Sequence, residues 1–376
     1  MSISKEKKVD KPFLISVILL VAAGFLIFIS ASLGLLARTE TIFKSVIFNQ
    51  LGYGLVGGLV VMLVISTIDY KVLKKYSFIL YILSIVALLL VFVPHIGFAH
   101  GGAHRWIHIG SLFSVQPSEI YKVTFVLFFA FWLSKLKARV ATFRYGTLAI
   151  TVFLAISAAL ILSQPDTATF GVIAFAGIGM YLAAGARWRD IFIFIGIALI
   201  GLVVLAFTRP YIMERFKTFL NPGHDATGSG YQIQQSMIAI GSGGITGKGF
   251  GQSVQKFNFL PEPIGDSIYA VASEEFGFVG SVIIIFLYIG LALRGLKIAS
   301  RTPDPFGRLV VVGIVILIVS GSFVNMASML GLIPISGVPL MFISHGGTAL
   351  FIALAEVGIV LNISRYQQNA NIKEKA

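Results

Sequence analysis

Five carboxylates fall where an apolar stretch gives way to a polar loop: Glu119, Asp166, Asp266, Glu274 and Glu275. Three cations, Arg105, Lys122 and Lys248, share the same loops and helix ends. A charge drawn to the centre of a bilayer costs roughly 3 kcal/mol, so such groups face a cavity or a partner rather than lipid. A carboxylate in a cavity can accept a proton, and cations on the same face supply complementary charge. Asp266 follows Gly265 and precedes an apolar run, a position that suits a helix N-cap as well as a general base. Spacing alone leaves both roles open. Glu119 and Lys122, three residues apart, also read as a helix-surface ion pair.

Two other patterns fail their own tests. The run GSGGITGKGFGQS (241–253) contains Gly247-Lys248, but a phosphate-binding loop needs Gly, four residues, then Gly-Lys-Ser/Thr. Here Gly249 follows the lysine and Ser242 holds the upstream glycine position, so the run reads as a tight turn with close backbone approach. His100, His104 and His108 have the i, i+4, i+8 spacing that would align imidazoles on a helix, with His95 nearby. Gly101 and Gly102 interrupt that segment and no carboxylate completes the set, so no metal site is expected. Cysteine is absent, which excludes thiolate catalysis, disulfides and cysteine-held metals.

The elements that must position these residues follow from composition. Hydrophobic residues form 57% of the 376-residue chain and charged residues 12%, about half the share in a soluble protein. A membrane span needs roughly 20 apolar residues. Ten stretches qualify, at about 13–36, 46–67, 75–95, 118–134, 145–163, 168–184, 190–208, 276–293, 309–331 and 342–363. The expected fold is an all-α polytopic membrane protein of about ten transmembrane helices, with both termini on one side. Residues 1–12 and 365–376 read as cytoplasmic tails around a membrane domain at 13–364. The termini and even-numbered loops hold 20 of the 29 Lys and Arg, which places them in the cytoplasm. The net charge of +13 is therefore a topology signal, and nucleic acid is not implied. The lysine-rich start precedes an apolar run too long for a signal peptide, and reads as an uncleaved first span.

Two long loops lie on the extracytoplasmic face, at about 96–117 and 209–275. Within the second, YIMERFKTFL (211–220) interleaves Glu214, Arg215 and Lys217 with apolar residues, as a helix lying in the membrane interface does. Gly54 and Gly58 have the small-xxx-small spacing of helix–helix packing.

Several segments together resemble the SEDS (shape, elongation, division and sporulation) family. They are GAHRWIHIGSLFSVQPSEIYK (102–122), QPDTAT (164–169), ERFKTFLNP (214–222), YQIQQSMIAIGSGGITGKGFGQS (231–253), FLPEPIGDSIYAVASEEFGFVG (259–280), VPLMFISHGGTALF (338–351) and the closing LNISR. The match follows the family's order through nearly the whole chain. It departs at His345 and Thr348, where the family has the Tyr and final Ser of SYGGS, at Ala168 for a Gly, and at Ser267 for a Phe.

The resemblance implies a ten-helix glycosyltransferase that polymerises lipid II into β1,4-linked glycan strands, releasing undecaprenyl diphosphate at the outer face of the bacterial inner membrane. It carries the base over to Asp266. Arg105, Lys122 and Lys248 become candidates for the diphosphate, with Glu119 and Asp166 as cavity-lining partners. The charge on the leaving group can be met by these cations or by Mg²⁺ on one or two carboxylates, and the sequence leaves both open. A class B penicillin-binding protein and other divisome or elongasome proteins are the implied partners. Ser30-Ala31-Ser32 and LNISR resemble the division branch (FtsW) slightly more than the elongation branch (RodA). A flippase for polyprenyl-linked sugars is the rival reading, but it should carry ionisable residues through the middle of several spans, and here only Glu356 lies deep. A non-catalytic scaffold would tolerate loss of the Asp266 carboxylate.

Overall fold

The computed structural model describes residues 8–36, 40–100, 103–109, 113–225 and 228–367. Helix α1 spans Lys11–Leu36, α2 (Glu40–Phe48) runs through a π-helical stretch, Asn49–Gly57, into α3 (Gly58–Thr67), and α4 is Tyr70–Leu90. After a small sheet come α5 (Pro117–Leu136), α6 (Leu148–Leu162), α7 (Thr167–Ala183) and α8 (Trp188–Thr208). The shorter α9 (Pro210–Leu220) and α10 (Ser229–Ser242) precede α11 (Ile268–Arg301), α12 (Pro305–Met329) and α13 (Gly347–Ser364). Among the described residues eight rods, with Phe43–Thr67 and Phe143–Leu162 each taken as one, are long and apolar enough to cross a membrane. The apolar α7 is shorter, and α5 carries Glu119, Lys122 and Lys135. The chain is an all-α polytopic membrane protein.

The centre of the bundle is α12 and α13, whose apolar windows are 72% and 78% buried, against 11% for the peripheral α8. Lipid tails are as apolar as leucine, so close packing and paired polar groups hold such helices together. Gly54 and Gly58 pack against α13, where a methyl group on Gly58 would lie 2.7 Å from Leu354 Cδ1. Tyr121 Oη links α4, α5 and α6, 3.2 Å from Tyr81 Oη and 2.7 Å from Ser157 Oγ. At one end of the bundle, Arg294 of α11 grips Asp10 through two bonds of 2.7 and 2.8 Å. The Asp10 N–H donates to Ser364 Oγ at 3.0 Å, so the start of α1 and the end of α13 meet there.

The opposite end carries the two long loops, and neither is irregular throughout. The first contains a three-stranded antiparallel sheet in the order β1 (Gly97–His100), β2 (Ala103–Ile109), β3 (Phe113–Val115). Phe98 pairs with Trp106 and Ile107 with Val115, residue types that favour extended backbone. The helical alignment of histidines therefore does not form. The side chains of His100, His104 and His108 lie outside the described residues. The second loop contributes α9, α10 and the first turns of α11.

Helix α11 begins earlier than the apolar stretch at 276–293, because Glu274 and Glu275 are helical and buried. It breaks at Gly277 (φ 65°, ψ −162°). Backbone groups freed in apolar surroundings must find partners, and the glycine run provides them. The Lys248 and Gly249 N–H groups donate to the carbonyls of Glu274 and Glu275, each at 3.0 Å. Phe278 and Val279 donate to Gly244 and Ile245 at 2.9 and 3.1 Å. A Cβ on Gly247 would lie 2.1 Å from the Glu275 carbonyl oxygen, so only glycine permits this approach. The run that fails as a phosphate loop repairs a broken helix.

Candidate active site

Asp266 sits in the loop just before α11, and its backbone is held from several sides. Asn325 Nδ2 of α12 donates to the Asp266 carbonyl and to that of Val338, both at 2.8 Å. Ser344 Oγ donates to Gly265 O at 2.8 Å, and the His345 N–H to Ile264 O at 2.7 Å. Gln232 Nε2 of α10 donates to Ser267 Oγ at 2.9 Å. The segment 344–346 is itself anchored by Gln50, whose amide bonds Ser344 O at 3.2 Å and the Gly346 N–H at 3.0 Å. Gln50 lies in the π-helical stretch, a widening that no sequence pattern announces.

The Asp266 carboxylate, by contrast, makes no hydrogen bond among the described residues. The N-cap of α11 is Ser267, and no side chain caps that helix. Asp266 instead lines a polar cavity of about 460 Å³ with Arg105, Trp106, Gln116, Glu262 and His345. Burial pushes its pKa up, Glu262 adds to the shift, Arg105 and Arg215 oppose it, and the result is about 6. Burial holds His345 neutral by lowering its pKa to about 4. Among the described residues its Nε2 has no hydrogen-bond partner.

Arg105 reaches this cavity from β2. Its Nε donates to Gln164 O at 3.1 Å, and a terminal nitrogen donates to Pro165 O. Asp166 Oδ2 lies 4.0 Å from the same Nε, while Asp166 Oδ1 caps α7 by accepting from the Thr169 N–H at 3.2 Å. Asp166 thus does two jobs, capping a helix and balancing Arg105.

The other expected site residues lie elsewhere. Lys122 pairs with Glu119 at 2.8 Å within α5, both side chains about 95% buried, with Glu356 of α13 in electrostatic reach. Lys248 pairs with Glu274 at 2.6 Å. Neither lysine lines the Asp266 cavity. Glu274 also accepts from Ser253 Oγ at 2.5 Å and from the Val254 and Gln255 N–H groups at 3.2 Å. Glu275 is matched by Lys256 at 2.7 Å, with both side chains fully buried. Ser30 of α1 joins that pair, donating to Glu275 at 2.5 Å and accepting from Lys256 at 2.9 Å.

Sequence reasoning passed over Lys256, Glu262 and Arg215. In the sequence Arg215 is only one of the charges on the interfacial helix. On α9, Glu214 and Lys217 pair with each other at 2.9 Å on the exposed side. Arg215 turns the other way. Burial and the like charge of Arg105 lower its proton affinity, while Asp166 and Asp266 raise it. It lines a second, apolar cavity of about 880 Å³ walled by α7, α9, α11 and α12.

Among the described residues, no three acids or imidazoles converge to hold a metal outright. Magnesium needs only one or two carboxylates besides substrate phosphates. Glu262, on the wall of the Asp266 cavity, fits that requirement.

A family model described as cell cycle protein, covering FtsW, RodA and SpoVE, matches residues 11–369. Stage V sporulation protein E of Bacillus subtilis is 40% identical over 312 residues, 83% of this chain and 85% of that one. The probable peptidoglycan glycosyltransferase FtsW of Geobacter metallireducens is 40% identical over 307 residues, 82% of each chain. Among solved structures, a chain from a peptidoglycan synthase complex, described for its coordination of polymerization and crosslinking, superposes with a TM-score of 0.79 at 26% identity. That match covers 96% of this chain and 99% of the other.

Proposed function

The chain belongs to the FtsW/RodA/SpoVE family of cell cycle proteins, and from that premise we propose that it is a peptidoglycan glycosyltransferase that polymerises lipid II at the extracytoplasmic face of the inner membrane. The observation that carries this reading is a free carboxylate, Asp266, on a polar cavity beside an apolar groove. A lipid-linked disaccharide needs both compartments: one for sugars and diphosphate, one for the polyprenyl tail.

In the reaction, the 4-hydroxyl of the acceptor GlcNAc attacks C1 of the donor MurNAc. Asp266 takes the hydroxyl proton as the C1–O bond to the α-linked diphosphate breaks. A β1,4 bond forms, and undecaprenyl diphosphate leaves with the bonding electron pair. A carboxylate with a pKa of about 6 is mostly ionised at neutral pH yet more basic than an ordinary aspartate. Arg105 supplies positive charge to the departing diphosphate, and its bonds to Gln164 and Pro165 fix its plane. Lys122 and Lys248, paired with Glu119 and Glu274 away from this cavity, take no part in the step. Glu262 would hold a magnesium ion, which would supply further charge neutralisation to the diphosphate.

The ten-span arrangement with cytoplasmic termini completes the reading. Reporters fused after residues 140 and 300 should read cytoplasmic and one near 225 extracytoplasmic; swapped signals would overturn that orientation. The growing glycan strand leaves from the Asp266 cavity toward a class B penicillin-binding protein, and the division role is favoured by Ser30-Ala31-Ser32 and LNISR. Purified protein, with and without such a transpeptidase, incubated with labelled lipid II should yield glycan polymer. Absence of polymer under both conditions would sink the assignment.

A further inference from the structure

Among the described residues Arg215 is the one charged group on the wall of the 880 Å³ groove; the rest of that lining is apolar apart from threonine and serine. A cation on an apolar wall is unfavourable without a partner of opposite charge. Among the described residues Arg215 makes no ion pair, and its closest recorded contact of this kind is the Tyr211 ring, 6.0 Å from its guanidinium carbon. Its neighbour Lys217 is already satisfied by Glu214 on the outer side of α9.

The groove and the polar cavity share a boundary. Thr167 and Ser336 line the groove, while of the residues beside them in the chain Gly337 lines the Asp266 cavity and Asp166 lies against Arg105 on its wall. Asp166 pairs with Arg105, and a Cβ on Gly337 would lie 3.7 Å from Asp266 Oδ2. Arg215 stands at this junction, close enough to feel Arg105, Asp166 and Asp266. Two guanidiniums brought together in low dielectric repel each other, and an anion between them reverses the sign.

We propose that Arg215 is the second cation on the leaving diphosphate, gripping it from the groove side while Arg105 grips it from the sugar side. This deepens the polymerase reading and rests on it. The groove then holds the donor's polyprenyl tail, and the junction marks where lipid ends and diphosphate begins. Two guanidiniums offer enough donors for both phosphates, whereas a monophosphate can engage only one of them well. The site therefore selects a polyprenyl diphosphate over a polyprenyl monophosphate.

The test uses the full-length protein in nanodiscs, with undecaprenyl diphosphate and undecaprenyl monophosphate as separate probes. Wild type should bind the diphosphate more tightly, and Arg215→Gln should lose about tenfold or more in diphosphate affinity while its monophosphate affinity changes little. Arg215→Lys should keep part of the preference, and it serves as the readout if the glutamine variant does not remain monodisperse. In turnover with lipid II, kcat should fall more than KM rises, because charge builds on the diphosphate as it leaves. Diphosphate binding within twofold of wild type in both variants would overturn the proposal and make Arg215 an interfacial anchor. Failure of the wild type itself to polymerise lipid II would instead remove the reading beneath it, so the two failures are distinguishable.

Discussion

Asp266 and the pair Glu274–Glu275 lie within ten residues of each other, at the head of one helix, and are built in opposite ways. At Asp266 the backbone is held by α12 and the segment before α13, and the carboxylate is left to the cavity. At Glu274 and Glu275 the carboxylates are the anchors: they hold Lys248, Lys256, Ser30 and the backbone of 253–255. An acid whose oxygens are taken up by the fold serves the fold. An acid whose backbone is fixed and whose oxygens are free is prepared for chemistry. The two designs predict different failures when each acid is changed.

The largest effect belongs to the free carboxylate. Asp266→Ala should lower polymerisation about 10²–10⁴-fold, the range of a positioned acid–base group, with normal yield and monodispersity. Lys256→Met should do the reverse. It leaves Glu275 buried without its partner, a loss of about 3–5 kcal/mol, visible as poor insertion or a much lower melting temperature in detergent. A folded Lys256→Met protein with wild-type stability would erase the contrast between the two regions.

A smaller effect sharpens the electrostatics. The pKa of Asp266 is raised to about 6, so if it is the proton acceptor the rate should fall as pH drops through that value. Turnover at pH 5 should be roughly a tenth of that at pH 7. Arg105 opposes this shift, so Arg105→Ala should move the midpoint upward as well as slow the reaction. A flat profile between pH 5 and 7 would place the proton acceptor elsewhere. The smallest effect is expected on the outer side of α9, where Lys217→Ala breaks a pair that is about half exposed. Its stability should change by no more than about 0.5 kcal/mol.

Some of this was readable in the sequence for a physical reason. Asp266, Arg105 and Asp166 stand out because a charge is conspicuous where apolar stretches end, and the rods themselves follow from hydropathy. Lys122 and Lys248 were equally conspicuous, but sequence cannot say which acid a lysine will find, and each found one outside the cavity. Lys256 and Arg215 gain their meaning only from tertiary neighbours on α1, α11 and β2. The sheet at 97–115 and the early start of α11 were missed for a related reason. Each depends on pairing between segments, as at Gly277 and the glycine run, where the partner strand of backbone lies about 30 residues upstream.

The central claim is that Asp266 is the proton acceptor, and Asp266→Asn tests it most directly, since asparagine keeps the shape and polarity of the side chain and cannot take the proton. The measurement is glycan polymer formed from labelled lipid II by the purified variant together with its transpeptidase partner. The account predicts a protein that is produced, folded and complexed like wild type and makes essentially no polymer. Near-normal polymer from that variant would contradict it, and would move the base to another acid of the cavity.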